Sequence, residues 1–314
     1  MCGGHVVTRV AAIDCGTNSI RLLVADVDGD SLDDIVRRME IVRLGEGVDR
    51  TGRLSDAALA RTFAALEDYA AQIRSLGAER VRMVATSATR DATNRDAFVA
   101  GVVERLGVQP EVVTGSEEAS LSFRGATGDF SATSVAAPYL VCDIGGGSTE
   151  FVLGDSTGVR GARSVNIGCV RMTERHLADD PPTGEQVSAA RADIEAAIDE
   201  VAQHVPVDQA ASLIGLAGSV TTVTAIALGL ERYDPTRIHH ARVGAASVHD
   251  VTERLLAMTH AQRAAIAVMH PGRVDVIGAG ALVLDTVMHR LRFDAVIASE
   301  HDILDGIAFS VADV

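Results

Sequence analysis

The chain has 314 residues, 47% hydrophobic but only 3% aromatic and with no Trp; that length suggests two domains, with cores of Ala, Val, Leu and Ile. The formal net charge of −15 excludes a broad nucleic-acid or anionic-membrane surface. An anionic ligand would have to be held by local groups against the chain's own field.

Strand and helix signals alternate along the sequence. VTRVAAID (7–14) is a β-branched run ending at an acid, and IRLLVADV (20–27) is a second strand close behind. From Ser55, an N-cap, the residues Leu59, Phe63, Leu66, Ala70 and Ile73 fall on one helical face, and Gly77 stops the helix. A strand is expected at 81–88, a helix at 93–106 and a strand at 110–114, after which Ser116 caps a helix carrying Glu117 and Glu118. The small, polar stretch TGDFSATSVAAP (127–138) marks a domain boundary. The pattern then restarts with strands at 139–143, 150–154 and 159–167. Helices follow at 184–203, at 247–258 and after Pro271, and 299–312 reads as a terminal helix. This is an α/β chain with mixed sheets. The expected domains are 1–128 and 129–299, with residues 300–314 packing back on the first.

The cysteines, Cys2, Cys15, Cys142 and Cys169, have no zinc-site spacing and read as reduced thiols of a cytoplasmic protein. The N-terminus lacks an apolar signal region, and no stretch reaches the roughly 18 apolar residues of a membrane span.

An internal repeat carries the functional signal. DCGTNSIRLLVAD (14–26) lies over DIGGGSTEFVLGD (143–155) without a gap, at an offset of 129 residues. Asp14 meets Asp143, Gly16 meets Gly145, and Ser19 meets Ser148. Each copy reads strand, Asp-x-Gly-x-x-Ser turn, strand. Glycines let backbone N–H groups approach an anion, and Ser and Thr hydroxyls add donors, so phosphate can be bound without cationic side chains. The acids at the strand ends would repel phosphate unless a divalent cation lies between. Asp143 and Glu150 are placed to share one, while a turn role for Asp143 stays open. The counterpart of Glu150 is Arg21, which suggests that one copy diverged toward metal and the other toward anion.

Two such hairpins in a duplicated α/β chain resemble the actin, sugar-kinase and heat-shock chaperone ATPase superfamily. The resemblance implies two actin-like domains of duplicated ribonuclease-H-like topology, with phosphates bound in an interdomain cleft. Three further stretches bear on the chemistry. In TSATRDATN (86–94), Arg90 is either a bidentate phosphate donor or a surface arginine. In TGSEEA (114–119), adjacent glutamates in a first helical turn can serve the helix dipole, and at most one of them faces a site. In GLAGSVTT (215–222), the amides around Gly218 and Ser219 can cradle a ligand or permit close packing.

Together with AIDCGTNSIRLL (12–23), DIGGGSTE (143–150) and HPGRVDVIGAGA (270–281), these stretches resemble the exopolyphosphatase and guanosine pentaphosphate phosphatase family (Ppx/GppA), in the family's order and over nearly the whole chain. The resemblance implies a metal-dependent phosphoanhydride hydrolase using Mg²⁺ or Mn²⁺, in a short form without a C-terminal HD-type domain, and a homodimer. It makes Glu118 the catalytic base and Arg90 the phosphate-contacting arginine. Asp143 and Glu150 become the metal ligands. The phosphate loops become Cys15, Gly16, Thr17, Asn18 and Ser19, and Gly145, Gly146, Gly147 and Ser148. The expected reaction removes the terminal phosphate of inorganic polyphosphate. The rivals are the same hydrolysis on guanosine pentaphosphate, an ATP-dependent kinase or ATPase, and a non-catalytic polyphosphate or nucleotide sensor.

Overall fold

The computed structural model describes residues 7–29, 31–130 and 135–312. Cys2 and the middle of the expected boundary segment, residues 131–134, lie outside them. The chain divides into two compact units, Met1–Gly128 with Asp302–Val314, and Asp129–His301.

In unit 1 the elements are β1 (Thr8–Cys15), β2 (Ser19–Asp28), β3 (Ser31–Ile41), α1 (Val48–Thr51), α2 (Asp56–Leu76), β4 (Arg80–Ala85), α3 (Ser87–Asp91), α4 (Arg95–Leu106), β5 (Glu111–Val112) and α5 (Gly115–Thr127). Its sheet has the order β3-β2-β1-β4-β5. β1, β2 and β3 form an antiparallel meander, while β4 and β5 run parallel to β1. Alternation along β1 sends Ala11, Ile13 and Cys15 to one face, where they pack with Leu66, Tyr69 and Ile73 of α2 and Phe98 of α4. Val10 and Ala12 go to the other, against Leu121 of α5 and Ile303, Leu304 and Ile307 of the C-terminal helix. That helix crosses α5 at two glycines. A Cβ on Gly125 would lie 1.8 Å from the Asp302 carbonyl oxygen, and one on Gly306 would lie 2.0 Å from that of Leu121.

Unit 2 continues with β6 (Tyr139–Ile144), β7 (Thr149–Asp155), β8 (Gly158–Val165), α6 (Cys169–His176), α7 (Gly184–His204), β9 (Ser212–Leu216), α8 (Ala217–Ala227), α9 (Pro235–Ile238), β10 (Arg242–Gly244), α10 (Ala245–Ala257), α11 (His260–Ala264), α12 (Ile277–Leu291) and β11 (Ala295–Ala298); α13 (Ile303–Ala312) is the helix returned to unit 1. The sheet order is β10-β11-β9-β6-β7-β8. Its last five strands repeat the antiparallel meander and two parallel strands of unit 1, so the sequence repeat is a repeat of topology. Both sheets are mixed, and the fold is the duplicated actin-like α/β type. Leu140, Cys142, Ile144, Phe151 and Leu153 face a core built with α7, α8, α10 and α12. Among the described residues no helix is long and apolar enough to cross a membrane.

Some local expectations need correction. Thr114, not Ser116, caps α5: its side chain accepts from the Glu117 N–H. The strand expected over 81–88 ends at Ala85, and Ser87 already begins α3. β3 and β11 carried no recognised signal. β3 is an edge strand whose polar run SLDDIVRRMEI is half exposed, so it lacks the alternation that marks a half-buried strand. β11 has only four residues.

Candidate active site

The two repeat turns close identically. Gly16 N–H donates to the Ser19 carbonyl at 2.9 Å, and Gly145 N–H donates to that of Ser148 at 3.0 Å.

In unit 2 the glycine loop faces the start of α6. Cys169 N–H donates to the Gly145 carbonyl at 2.9 Å, and Val170 N–H donates to that of Gly146 at 2.8 Å. The buried Arg171 donates from Nε to the Gly147 carbonyl at 2.7 Å. The loop's carbonyls are thereby turned into the protein, and no hydrogen bond runs from the N–H groups of Gly146, Gly147 and Ser148 to any described residue. Consecutive amides of this kind form an anion-binding concavity. Gly168 holds the loop in place by close contact: a Cβ there would lie 2.3 Å from the Gly146 carbonyl carbon.

Asp143 and Glu150 are direct partners across β6 and β7, so their side chains leave the same face of the sheet. They are 7% and 1% exposed. Ser164, opposite Glu150 on β8, donates to its Oε1 at 2.7 Å. Burial, and then the charges of Asp143 and Glu150, push the Cys142 thiol well above its usual range.

The same two positions in unit 1 hold Asp14 and Arg21, also direct partners, joined by an ion pair at 2.6 Å. Arg21 also pairs with Asp302. The expectation that this half diverged toward anion is therefore corrected for Arg21, whose charge is taken up by two carboxylates. An acidic pair on one sheet thus matches an acid and a base on the other. The donor set of Asp143 and Glu150, hard oxygens side by side and buried, suits a divalent cation completed by water or phosphate oxygens.

In unit 1 the loop Cys15–Ser19 is braced by the segment after β3. Gly45 N–H donates to the Thr17 carbonyl at 2.8 Å, and Arg43 N–H donates to that of Asn18 at 2.8 Å. The Thr17 and Ser87 hydroxyls bond at 2.9 Å. Cys15 offers backbone only. Its thiol lies in the core, and burial pushes it well above the usual range. Gly16 and Ser19 close the turn.

The adjacent glutamates of α5 separate as consecutive helical residues must, being turned by about 100°. Glu117 is half exposed, 3.7 Å from Arg82. Glu118 is 6% exposed and accepts from Arg90 Nη1 at 2.9 Å. Arg90 also donates to the Val113 carbonyl at 3.0 Å. These two candidates, 28 residues apart, therefore meet.

At the start of α8, Ala217 adopts φ 66°, a left-handed conformation costing a side chain about 1–2 kcal/mol. It turns Gly218 against Arg273: a Cβ on Gly218 would lie 2.4 Å from the guanidinium carbon. Ser219 is buried beside Gly280, and Arg273 donates to the Thr222 hydroxyl at 3.1 Å. Arg273 and Ser164 were not singled out from the sequence. Arg273 lay inside the HPGR stretch, whereas nothing local marked Ser164.

The model of the Ppx/GppA phosphatase family matches residues 23–313, and the chain belongs to that family. Exopolyphosphatase 2 of Mycobacterium tuberculosis is 52% identical over 97% of this chain and 99% of its own length. The crystal structure of an exopolyphosphatase-like protein superposes with a TM-score of 0.93 at 46% identity, covering 96% of this chain and 97% of the other. A guanosine-5'-triphosphate,3'-diphosphate pyrophosphatase of Aeromonas salmonicida is 27% identical over 96% of this chain but only 59% of its own length.

Proposed function

We propose that the protein is an exopolyphosphatase, which hydrolyses the terminal phosphoanhydride of linear polyphosphate and releases orthophosphate. The observation that carries this reading is the buried pair Asp143 and Glu150, facing each other across β6 and β7 where unit 1 has the ion-paired Asp14 and Arg21. Two buried carboxylates whose hard oxygens leave the same face of the sheet suit a divalent cation. Mg²⁺ or Mn²⁺ held by these carboxylates would offset phosphate charge and polarise the phosphoryl oxygens. The amides of Gly146, Gly147 and Ser148 would receive phosphate oxygens, with the turn at Thr17 and Asn18 and the start of α8 at Gly218 and Ser219 as further donors.

Glu118 is the proposed general base and Arg90 the phosphate ligand. Phosphate arriving at Arg90 would compete for its guanidinium and release Glu118 toward water. Water oxygen then attacks the terminal phosphorus, its proton passes to Glu118, and the bridging P–O bond breaks. The products are orthophosphate and a chain one phosphate shorter. Such hydrolysis is mainly positioning and charge stabilisation. The name of the Aeromonas salmonicida relative favours guanosine pentaphosphate as the second reading.

The deciding experiment measures phosphate release from tripolyphosphate, long polyphosphate, guanosine pentaphosphate and ATP, each with and without Mg²⁺. Metal-dependent release from polyphosphate at the highest kcat/KM is expected. Preference for guanosine pentaphosphate would establish the second reading, and turnover of ATP alone would overturn both. A homodimer is proposed on the family resemblance, and light scattering tests it.

A further inference from the structure

Unit 2 contains a second group of ligating side chains, unrelated to the carboxylates of β6 and β7. Asp129, His239 and His301 come from three distant stretches: the segment after α5, the end of α9, and the turn between β11 and α13. One ligand atom from each lies within 4.8 Å of the others. His239 Nε2 is 2.8 Å from Asp129 Oδ2, His240 Nε2 is 3.3 Å from it, and His301 Nδ1 is 3.5 Å from it. Three imidazoles thus converge on one carboxylate.

The cluster is built rather than incidental. His240 has φ 61°, a left-handed conformation that a residue with a Cβ keeps only when its surroundings hold it. Its N–H donates to the Ala298 carbonyl at 2.8 Å, and its ring stacks on His239 at 3.8 Å. Phe130 closes one side, 4.5 Å from the His240 ring. One buried atom of the cluster, Asp129 Oδ1, has no hydrogen-bond partner among the described residues. Buried polar atoms ordinarily have partners, so the arrangement leaves ligand capacity unspent.

We propose that Asp129, His239 and His301 form a metal site of its own, taking a borderline transition-metal ion of the Zn²⁺ class in preference to Mg²⁺, with His240 available as a fourth ligand. Two or three imidazole nitrogens with one carboxylate oxygen suit Zn²⁺, Co²⁺, Ni²⁺ or Cu²⁺, whereas Mg²⁺ demands oxygen ligands. One contact works against tight binding. Glu300 N–H donates to His239 Nδ1 at 3.2 Å, so the ring proton of neutral His239 lies on Nε2, facing Asp129. A metal at Nε2 displaces that proton, and Nδ1 must then carry one and give up the Glu300 contact. Affinity weaker than that of a zinc site whose histidines donate to their outer partners is therefore expected.

The test is a titration of the untagged full-length protein with Zn²⁺ by calorimetry, and with Co²⁺ by visible absorption, in buffer saturated with Mg²⁺. One equivalent should bind to the native protein. His239→Gln and His301→Ala should each weaken binding by at least about tenfold, and His240→Ala by less. The double variant Asp143→Asn/Glu150→Gln should bind as the native protein does. Circular dichroism identifies any variant that fails to fold, and His301→Ala, altering the most exposed of the three imidazoles, is then decisive. Absence of saturable binding in the native protein overturns the proposal. So does full-strength binding by folded His301→Ala, or binding lost only in the double variant.

Discussion

Two adjacent glutamates at the start of α5 meet different fates, and that difference is testable. Glu118 is buried against Arg90, whereas Glu117 lies beside Arg82 at the surface. Glu118→Gln should lower kcat by roughly 10²–10⁴, the scale of a general base, while Glu117→Gln should stay near the native rate. Initial rates on tripolyphosphate decide it, and the opposite ranking would transfer the role. Asp143→Asn and Glu150→Gln should each raise the Mg²⁺ concentration for half-maximal activity, because each removes a hard oxygen ligand. Unchanged Mg²⁺ dependence in both would leave Asp143 a turn residue.

Arg21 concerns stability instead. Burial pushes Asp14 up, with Arg21 opposing it, while for Asp302 burial is outweighed by Arg21 and the carboxyl is lowered. The depressed Asp302 contributes stability above the ordinary carboxylate range, lost as pH falls through that range toward its folded value. Arg21→Met leaves two buried carboxylates without their shared cation, and should cost about 3–5 kcal/mol at neutral pH. The deficit should shrink at acid pH, because without Arg21 the two buried carboxyls take up protons more readily. Urea unfolding of native and variant protein at neutral and acid pH measures it, and a deficit independent of pH would mean that the ion cluster is not its source.

Among the elements, close approach sets the sharpest constraints. α13 and α5 cross through Gly125 and Gly306. Gly306→Ala should destabilise unit 1 by about 1–3 kcal/mol, the scale of overpacking, read as a shift in the denaturation midpoint. Gly168 acts on the site instead. A methyl group there meets the Gly146 backbone at 2.3 Å, so Gly168→Ala should displace the glycine loop and raise KM. An unchanged KM would mean that the loop's position is immaterial to substrate binding. The hairpins, by contrast, are legible in the sequence, since an Asp-x-Gly turn between β-branched runs is a local backbone requirement. β3 is not, because an edge strand with charges on both faces lacks the alternation that marks a half-buried strand.

At the scale of the whole molecule, charge limits the substrate. A long polyphosphate needs a basic track beyond the residues that hold its end, and the chain has 28 Lys plus Arg against 43 Asp plus Glu. The one local concentration of arginines in the sequence is Arg37, Arg38, Arg43, Arg50 and Arg53, and acids interrupt it. Arg37 pairs with Asp34 and Asp305, and Arg38 pairs with Glu40. Distributive action is therefore expected, with kcat/KM per molecule greatest for chains of a few phosphates. Initial rates from tripolyphosphate to polymers of several hundred units, at fixed ionic strength, test this. A lower KM with processive digestion of the longest chains would contradict it.

The sequence by itself determined the alternation of strands and helices, the duplication, and the two turns built on Asp-x-Gly-x-x-Ser. These follow from residues within a few positions of one another, where glycine, a β-branched run or a helix cap decides the backbone. Only the tertiary structure decided which charges are neutralised. Arg90 meets Glu118 across 28 residues, Arg21 meets Asp302 across 281, and Asp129 gathers histidines 110 and 172 residues away. Such pairings depend on strand register and helix crossing, which a stretch of sequence does not contain. The same Asp-x-Gly hairpin therefore holds an internal ion pair in one unit and two adjacent buried acids in the other.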